Sequence, residues 1–430
     1  MFFPEIEKKS AVEIKQYQEQ RLSDQLEYLA AHSPFYKEHF RKHNIDTRTI
    51  KLLEDLRRIP VTTKDDLQHS NEAFLCVGRE KIIDYITTSG TIGEPVTFGM
   101  TEHDLDRLAY CEAISFMCGG HMPGDVYQLM TTMDRRFMAG LAYFMGVRKL
   151  GAGIVRVGSG IPELQWESIM RFKPTTLITV PSFILRLVEF AEANGIDHRS
   201  SSITKAMCIG EPLRNSDFTL NSLGAQIQEK WGIKLFSTYA STEMEGGFTE
   251  CEAGIGGHHH PELIIVELLD EHDEAVAPGT PGEVTITTLG VEGMPLLRFK
   301  TGDICYQHTE PCPCGRNTLR LGPVFGRRQH MIKYKGTTLY PSSLYDVLDG
   351  ISGVTNYVVE VSTSEIGTDH ILVRIGSTVH DDAFEKKIKD HFRTRLRVVP
   401  SLVFESPESV NRVLFPATSR KPVKFVDKRD

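Results

Sequence analysis

Two sets of residues in this 430-residue chain have the types and spacing to do chemistry. The first is Thr87-Thr88-Ser89-Gly90-Thr91-Ile92-Gly93-Glu94-Pro95, directly after the apolar Ile82, Ile83, Tyr85 and Ile86. A strand ending in such a loop can turn several backbone N–H groups toward an anion, with serine and threonine adding donors and glycine allowing close approach. No Gly-Lys-Ser/Thr ends the run, so it is not a Walker A loop; the plain alternative is a polar hairpin. The second set is Cys312-Pro313-Cys314, two thiols on a tight turn, with Cys251 and the run His258-His259-His260 well before it. Three cysteines and one histidine are the donors zinc takes tetrahedrally, and a closed four-donor set leaves no open position, which makes its role structural. Cys305 and His308 are reserve donors, and a reduced, metal-free turn is the alternative. Glu243, Asp303 and Lys421 have no such spacing, and taken singly their plain readings are a solvated helix-start acid, a turn residue and an exposed tail lysine.

These residues need elements to hold them. The stretch from Glu13 to His43 has helical spacing of apolar positions, with Ser33-Pro34 marking a helix start, and Thr62-Thr63-Lys64-Asp65-Asp66 marks another. From Asp84 to Phe325, short apolar runs alternate with helical stretches: Val126 to Met130, Gly153 to Val157, Thr176 to Val180, Ala206 to Ile209 and Lys234 to Phe236. That alternation predicts an α/β sheet buried on both faces. Between Glu262 and Tyr306 the runs LIIVELLD, GEVTITTL and LLRFKTGDICY, joined by Gly/Pro and acidic turns, predict an antiparallel β-rich subdomain. After Phe325, MIKYKG, NYVVEV and HILVRI read as strands and DDAFEKKIKDHFRTRL as an amphipathic helix, a small α+β domain beyond Gly326-Arg327-Arg328-Gln329-His330. The expected domains are residues 1–326 and 327–430.

Composition closes off other classes. With 40% hydrophobic and 25% charged residues the chain is an ordinary globular one, and a net charge of -8 gives no footprint for nucleic acid. The most apolar window, Leu177 to Phe190, contains Pro181, Ser182, Arg186 and Glu189 and is too short for a bilayer, and charges near the N-terminus argue against a secretory signal. A cytoplasmic location follows as the expectation, with no membrane partner. Cys76, Cys111, Cys118, Cys208 and Cys305 are expected to be small buried hydrophobes.

The loop T-S-G-T-x-G-x-P resembles the phosphate loop of the adenylate-forming superfamily of acyl-CoA synthetases and luciferases, and five further motifs follow in that superfamily's order. Gly210-Glu211-Pro212 resembles the adenine-side loop of the phenylacetate-CoA ligase branch. Tyr239-Ala240-Ser241-Thr242-Glu243 resembles its Tyr-x-x-Ser/Thr-Glu motif, Thr301-Gly302-Asp303 its ribose motif, Gly326-Arg327 its hinge-proximal pair, and Arg420-Lys421-Pro422 the ending with the catalytic lysine. Ser33-Pro34-Phe35-Tyr36, Leu53 to Leu56, Lys64 to Leu67 and Pro181-Ser182 are similar as well, so the resemblance covers essentially the whole chain. It implies an ATP-dependent carboxylic acid–CoA ligase that uses Mg²⁺, ATP and coenzyme A. In that reading Ser89, Gly90, Thr91, Gly93 and Thr242 face the phosphates and Glu243 holds magnesium. Tyr239 stacks on adenine, with Ala240 and Ser241 in the same motif. Asp303 and Arg327 fix ribose, and Lys421 stabilises the charge that develops in the reaction. A hinge would lie at Gln329 or His330, and a homodimer is an allowed assembly. Some relatives carry a Cys-His-Cys-Cys zinc arrangement that aligns with Cys251, His258, Cys312 and Cys314.

The chain also departs from that family. Glu94 stands where a lysine is usual, and a carboxylate about 4 Å from a phosphate is repelled by about 4 kcal/mol at an effective dielectric of 20. Ser237 replaces an acidic or amide residue, Ala240 a glycine and Pro422 a small residue. The substrate stretch reads Thr132 to Gly140, with Phe137, Met138, Ala139 and Gly140 expected at the acid and Arg135 and Arg136 able to pair with a polar acid or to lie on a solvated face. Two other readings compete: an adenylylating transferase that needs no coenzyme A, and a non-catalytic nucleotide- or zinc-binding relative.

Overall fold

The computed structural model describes residues 4–88, 96–334, 337–363, 369–379, 381–416 and 422–429. They form two compact units, one of Met1–Leu220, Gly224–Thr301 and Cys305–Pro323, the other of Asn221–Leu223, Gly302–Ile304 and Val324–Asp430.

Within the first unit the five apolar runs are parallel strands: Val126–Leu129, Gly153–Arg156, Thr176–Thr179, Lys205–Ile209 and Lys234–Ser241. Thr176–Thr179 and Lys205–Ile209 are buried at every position, which is why they read as unbroken runs. Leu177 and Ile178 are fully buried, each worth about 2 kcal/mol of apolar transfer. Four short strands, Gly246–Glu250, Gly257–His258, Arg320–Leu321 and Gln307–His308, extend this sheet antiparallel to nine strands. Val126–Leu129 lies between Gly153–Arg156 and Thr176–Thr179, so the chain winds out in both directions from it. In an open α/β sheet that is where the carboxyl ends part and leave room for a ligand.

Strands Ile264–Leu269 and Gly282–Thr288 pair antiparallel, as their alternation predicts. The long N-terminal helical stretch is two helices, Ala11–His32 and Pro34–Lys42, with the Ser33 Oγ accepting from the Tyr36 N–H at 3.3 Å. Helix Glu102–Cys118 opens with a capping box: Thr101 Oγ1 accepts from Asp104 N–H at 3.2 Å, and Asp104 accepts back from Thr101 N–H at 3.0 Å.

Two strand boundaries differ from the sequence reading. The strand expected at Lys234 to Phe236 continues to Ser241, because Tyr239 and Ser241 pair with Phe248 and Gly246 across the hairpin. The run LLRFKTGDICY, read as a strand from Leu296 to Tyr306, is a strand only from Phe299 to Cys305. Arg298 sits at φ 47, a left-handed kink that keeps the preceding residues out of the ladder. The Tyr239–Glu243 motif thus lies partly, and Thr301–Asp303 wholly, inside a strand.

The second unit is a four-stranded sheet in the order Ser401–Glu405, Asp369–Gly376, Asn356–Thr363, Phe425–Asp427, with helices Pro341–Asp349, Asp382–Leu396 and Pro407–Leu414. Its core gathers Ile332, Leu344, Val359, Val373, Ile388 and Phe392.

Candidate functional site

The parallel strands bring two of the motifs together. Ile209 pairs with Thr238, so the turn Gly210–Pro212 and the residue Tyr239 emerge side by side at carboxyl ends of neighbouring strands. Gly210 has φ 75, a left-handed conformation that glycine adopts without a Cβ clash. Glu211 turns its carboxylate to the next helix, Pro181–Ala193: the Ser182 N–H donates to Oε2 at 2.8 Å and the Ser182 hydroxyl to Oε1 at 3.0 Å. An anion at a helix N-terminus is favourable there, so Glu211 positions the turn through that helix. The Tyr239 ring is half-buried and stacks on Phe248 at 5.9 Å and 25°.

Thr242 and Glu243, half-buried, form the tight turn between the two hairpin strands. The Thr242 carbonyl accepts from Glu245 N–H at 3.2 Å, and the Ser241 hydroxyl accepts from Met244 N–H at 3.3 Å. Ala240 is exposed. The turn is held from beneath by a residue the sequence reading passed over. Arg107, 7% exposed on helix Glu102–Cys118, donates to the carbonyls of Glu245 at 2.9 Å, Leu263 at 2.6 Å and Leu289 at 2.9 Å. The available signal was a charge between the apolar Leu105, Leu108 and Ala109. Burial drives the Glu245 carboxyl well above the carboxylate range, with Asp104 adding to the rise and Arg107 opposing it.

Ser89, Gly90, Thr91, Gly93 and Glu94 lie outside the described residues, as does Lys421. The residues flanking the loop form an antiparallel hairpin, Asp84–Thr87 against Thr97–Met100, closed by Thr88 N–H to Val96 O at 2.9 Å and Val96 N–H to Thr88 Oγ1 at 3.1 Å. In the second unit Asp303 pairs in register with Arg327, and the Arg327 Nε stands 3.4 Å from Asp303 Oδ1. Asp303 is nearly buried and Arg327 partly exposed. Next to the pair, Arg429 donates to the carbonyls of Gln329 at 2.9 Å and Met331 at 2.7 Å.

The substrate stretch follows Val126–Leu129, the strand at which the winding reverses. Arg135 and Arg136 are exposed in a loop with φ 58 and 60, not on a helix face; the helix begins after Phe137, at Met138. Phe137 and Ala139 are half-buried and Met138 is buried. Gly140 is buried for packing: a Cβ on it would stand 1.9 Å from the Thr132 carbonyl oxygen.

The Cys/His set comes together at the far end of the hairpin. Ligand atoms of Cys251, His258, Cys312 and Cys314 all lie within 4.8 Å of one another. Cys251 Sγ is 3.5 Å from Cys312 Sγ, and Cys314 Sγ is 3.5 Å from His258 Nε2. Ligand-to-metal distances of about 2.0–2.3 Å in a tetrahedron require edges of about 3.6–3.8 Å, so the donors fit a zinc ion. Thr318 Oγ1 holds His258 Nδ1 at 2.8 Å, leaving Nε2 to the cluster. Burial holds the His258 imidazole below its usual range, in the neutral form that ligates. The hydrogen bond from Cys251 is the largest influence holding Cys314 well below the thiol range, with His258 and Arg316 reinforcing it; the same bond and burial push Cys251 up.

Of the other histidines, His259 meets the Leu319 carbonyl at 3.2 Å, and His260 pairs with Glu7 at 2.6 Å and with Ser115 at 3.1 Å. Glu7 also takes Arg316 Nε at 2.7 Å, and Arg316 reaches Cys314 Sγ at 3.6 Å. An N-terminal acid thus braces a cluster hundreds of residues away, which no local pattern signals. Cys305, a reserve donor, is fully buried outside the cluster, and His308 packs its ring on Phe218 at 4.7 Å. Cys76, Cys111, Cys118 and Cys208 are buried as expected. Among the described residues no helix is long and apolar enough to cross a membrane.

Known proteins are similar to this chain in sequence and fold. The AMP-binding enzyme family matches residues 15–293. The phenylacetate-coenzyme A ligase of Thermus thermophilus is 32% identical over 359 residues, spanning 82% of this chain and 79% of that enzyme. The phenylacetate-coenzyme A ligase of Aromatoleum evansii is 27% identical across 99% of this chain and 96% of its own. A solved 2-hydroxyisobutyryl-CoA ligase in the postadenylation state has the same fold, with a TM-score of 0.86 at 24% identity over 99% of this chain and 92% of that one. With more than half its length matched by the family and four-fifths by one ligase, the chain belongs to the AMP-binding enzymes, as a phenylacetate-CoA ligase-like member of the adenylate-forming superfamily.

Proposed function

We propose that this protein is an ATP-dependent carboxylic acid–CoA ligase that forms an acyl-adenylate and then an acyl-CoA, releasing pyrophosphate and AMP. The observation that carries this reading is the register Ile209 to Thr238, which sets the Gly210–Pro212 turn beside Tyr239 at open strand ends, with Thr242 and Glu243 on the turn beyond.

In the first half-reaction a carboxylate oxygen of the acid attacks the α-phosphorus of ATP and pyrophosphate leaves. Positioning and charge neutralisation supply most of the rate in such transfers. Adenine lies between Gly210–Pro212 and Tyr239, and Asp303 and Arg327 hold the ribose. Ser89, Thr91 and Thr242 donate to phosphate oxygens, with Gly90 and Gly93 letting the backbone approach. Glu243 offers the hard carboxylate oxygen that magnesium takes, and the ion, when bound, neutralises phosphate charge. Lys421 stabilises the charge developing between carboxylate and phosphate. In the second half-reaction the thiolate of coenzyme A attacks the acyl carbon and AMP departs. Phe137, Met138 and Ala139 supply an apolar wall for the acid, and the winding reversal beside them marks the crevice.

Cys251, His258, Cys312 and Cys314 would hold one structural zinc ion, since four protein donors leave no position for substrate. Reduced, buried cysteines suit the cytoplasm.

The deciding assay is pyrophosphate release from Mg·ATP over a panel of aryl and small carboxylic acids, with and without coenzyme A, for the wild type and Lys421→Ala. Turnover that requires coenzyme A and is lost in Lys421→Ala is the expected result. Release that coenzyme A does not stimulate would replace the ligase with an adenylylating transferase.

A further inference from the structure

The Gly210–Pro212 turn runs on into Arg214, and Arg214 is not at the surface. Its Nε donates to both carboxylate oxygens of Glu250, at 2.8 and 3.0 Å, and its Nη1 donates to the Phe218 carbonyl at 3.0 Å. The Glu250 side chain is 4% exposed and that of Arg214 15%. Gly254 closes the slot: a Cβ there would stand 2.5 Å from Arg214 Nη2, and its φ is 62.

Glu250 has a second task. The ladder between Lys234–Ser241 and Gly246–Glu250 runs from Ser241 with Gly246 to Thr238 with Thr249. One residue further, the Ser237 N–H donates to Glu250 Oε2 at 3.1 Å, so a side-chain carboxylate accepts there. One ion pair therefore joins the turn after Lys205–Ile209, the strand bearing Tyr239 two residues beyond Ser237, and the end of the hairpin whose other end bears Glu243. Ser237 itself has too short a side chain to reach far toward a base, so recognition on this strand depends on where its backbone is held.

We propose that Arg214 and Glu250 are positioning residues for the nucleotide: by fixing the Gly210–Pro212 turn against the Ser237–Tyr239 strand they set the width of the adenine slot. This rests on the ATP-dependent reading above. Neither group touches the reacting atoms. A buried pair in which one guanidinium N–H is shared by both carboxylate oxygens is a stiff spacer, and loss of one charge strands the other in a low-dielectric site.

The test compares the full-length wild type with Glu250→Gln, which keeps shape and an acceptor, and Arg214→Lys, which keeps charge but not the planar guanidinium that bonds Glu250 and Phe218 together. Three readouts are taken well below each melting temperature: AMP dissociation constant by calorimetry, KM and kcat for ATP, and the preference for ATP over GTP. Both variants are expected to weaken AMP and raise KM for ATP by about tenfold and to narrow the ATP preference, with kcat at saturating ATP within about twofold. Melting temperatures that fall while AMP affinity and base preference stay at wild-type values would overturn the proposal and leave a stability pair. A wild type that binds AMP but turns over no acid removes the ligase reading alone, because calorimetry still decides this one; a wild type that does not bind AMP removes both.

Discussion

The Cys/His cluster and the turns around Tyr239 sit at opposite ends of one short hairpin strand, Gly246–Glu250, and are built in contrary ways. At the cluster three of the four donors are sealed: Cys251, His258 and Cys312 are buried, Cys314 is half-buried, and Thr318, Arg316 and Glu7 hold the surrounding atoms. At the turns, Tyr239, Thr242 and Glu243 are half-buried, Ala240 is exposed, and the support comes from below through Arg107. A closed, saturated set holds something permanently; an open strand end braced from behind can exchange a ligand. On the proposed reading, the contrast separates a structural metal centre from a reaction site on the same sheet.

The strongest challenge to that separation is to remove one group from each end. Glu243→Gln should lower kcat/KM by about 100-fold or more, with the melting temperature unchanged, since it touches only ligand-side charge. Cys312→Ser should do the opposite: zinc by elemental analysis falls to zero and the melting temperature drops by about 10 °C, while the folded fraction keeps kcat within about threefold. If Cys312→Ser abolishes turnover without lowering stability, the two ends are not distinct.

A buried acid on the helix beneath both ends sharpens the comparison through pH. Burial pushes the Glu112 carboxyl up to about 7 from an ordinary value of 4.5, against a smaller opposing effect of His260. The folded chain thus binds a proton between those values that the unfolded chain has released. Its contribution is fully present below about pH 4.5 and is lost as pH rises through about 7, a change on the order of 3 kcal/mol. Glu112→Gln should flatten that decline in unfolding experiments run from pH 5 to 8 without altering zinc content. An unchanged pH slope would show that Glu112 ionises freely in the fold.

The smallest effect is expected at Glu211. Glu211→Gln keeps the hydrogen bonds to Ser182 but loses the charge at the helix N-terminus, about 0.5–1 kcal/mol, and should raise KM for ATP about two- to threefold. A tenfold rise would mean that the carboxylate meets the nucleotide directly.

Much of the fold was legible because burial on both faces writes itself as apolar runs: Thr176–Thr179 and Lys205–Ile209 are cases in point. The strand ends were not, since Tyr239 and Thr301 look like loop residues until a partner strand is present to pair with them. The Cys-x-Cys turn and the histidine run were visible as donors, and the resemblance selected His258 among three adjacent histidines; the physical reason, which side of a strand faces the cysteines, came only with the fold. His258 faces them; His259 and His260 are taken by Leu319, Glu7 and Ser115.

The linear order of residues by itself determined the α/β class, the motif sequence that marks the adenylate-forming superfamily, and the set of metal-type donors, because these depend on local periodicity and on side-chain chemistry. Only the tertiary structure decided that Arg107 carries the Thr242–Glu245 turn, that Glu7 braces Arg316 and His260, and that Arg214 and Glu250 join three segments. A buried charge gains its role from partners that arrive from distant parts of the chain, and desolvation makes those partners obligatory once the core closes.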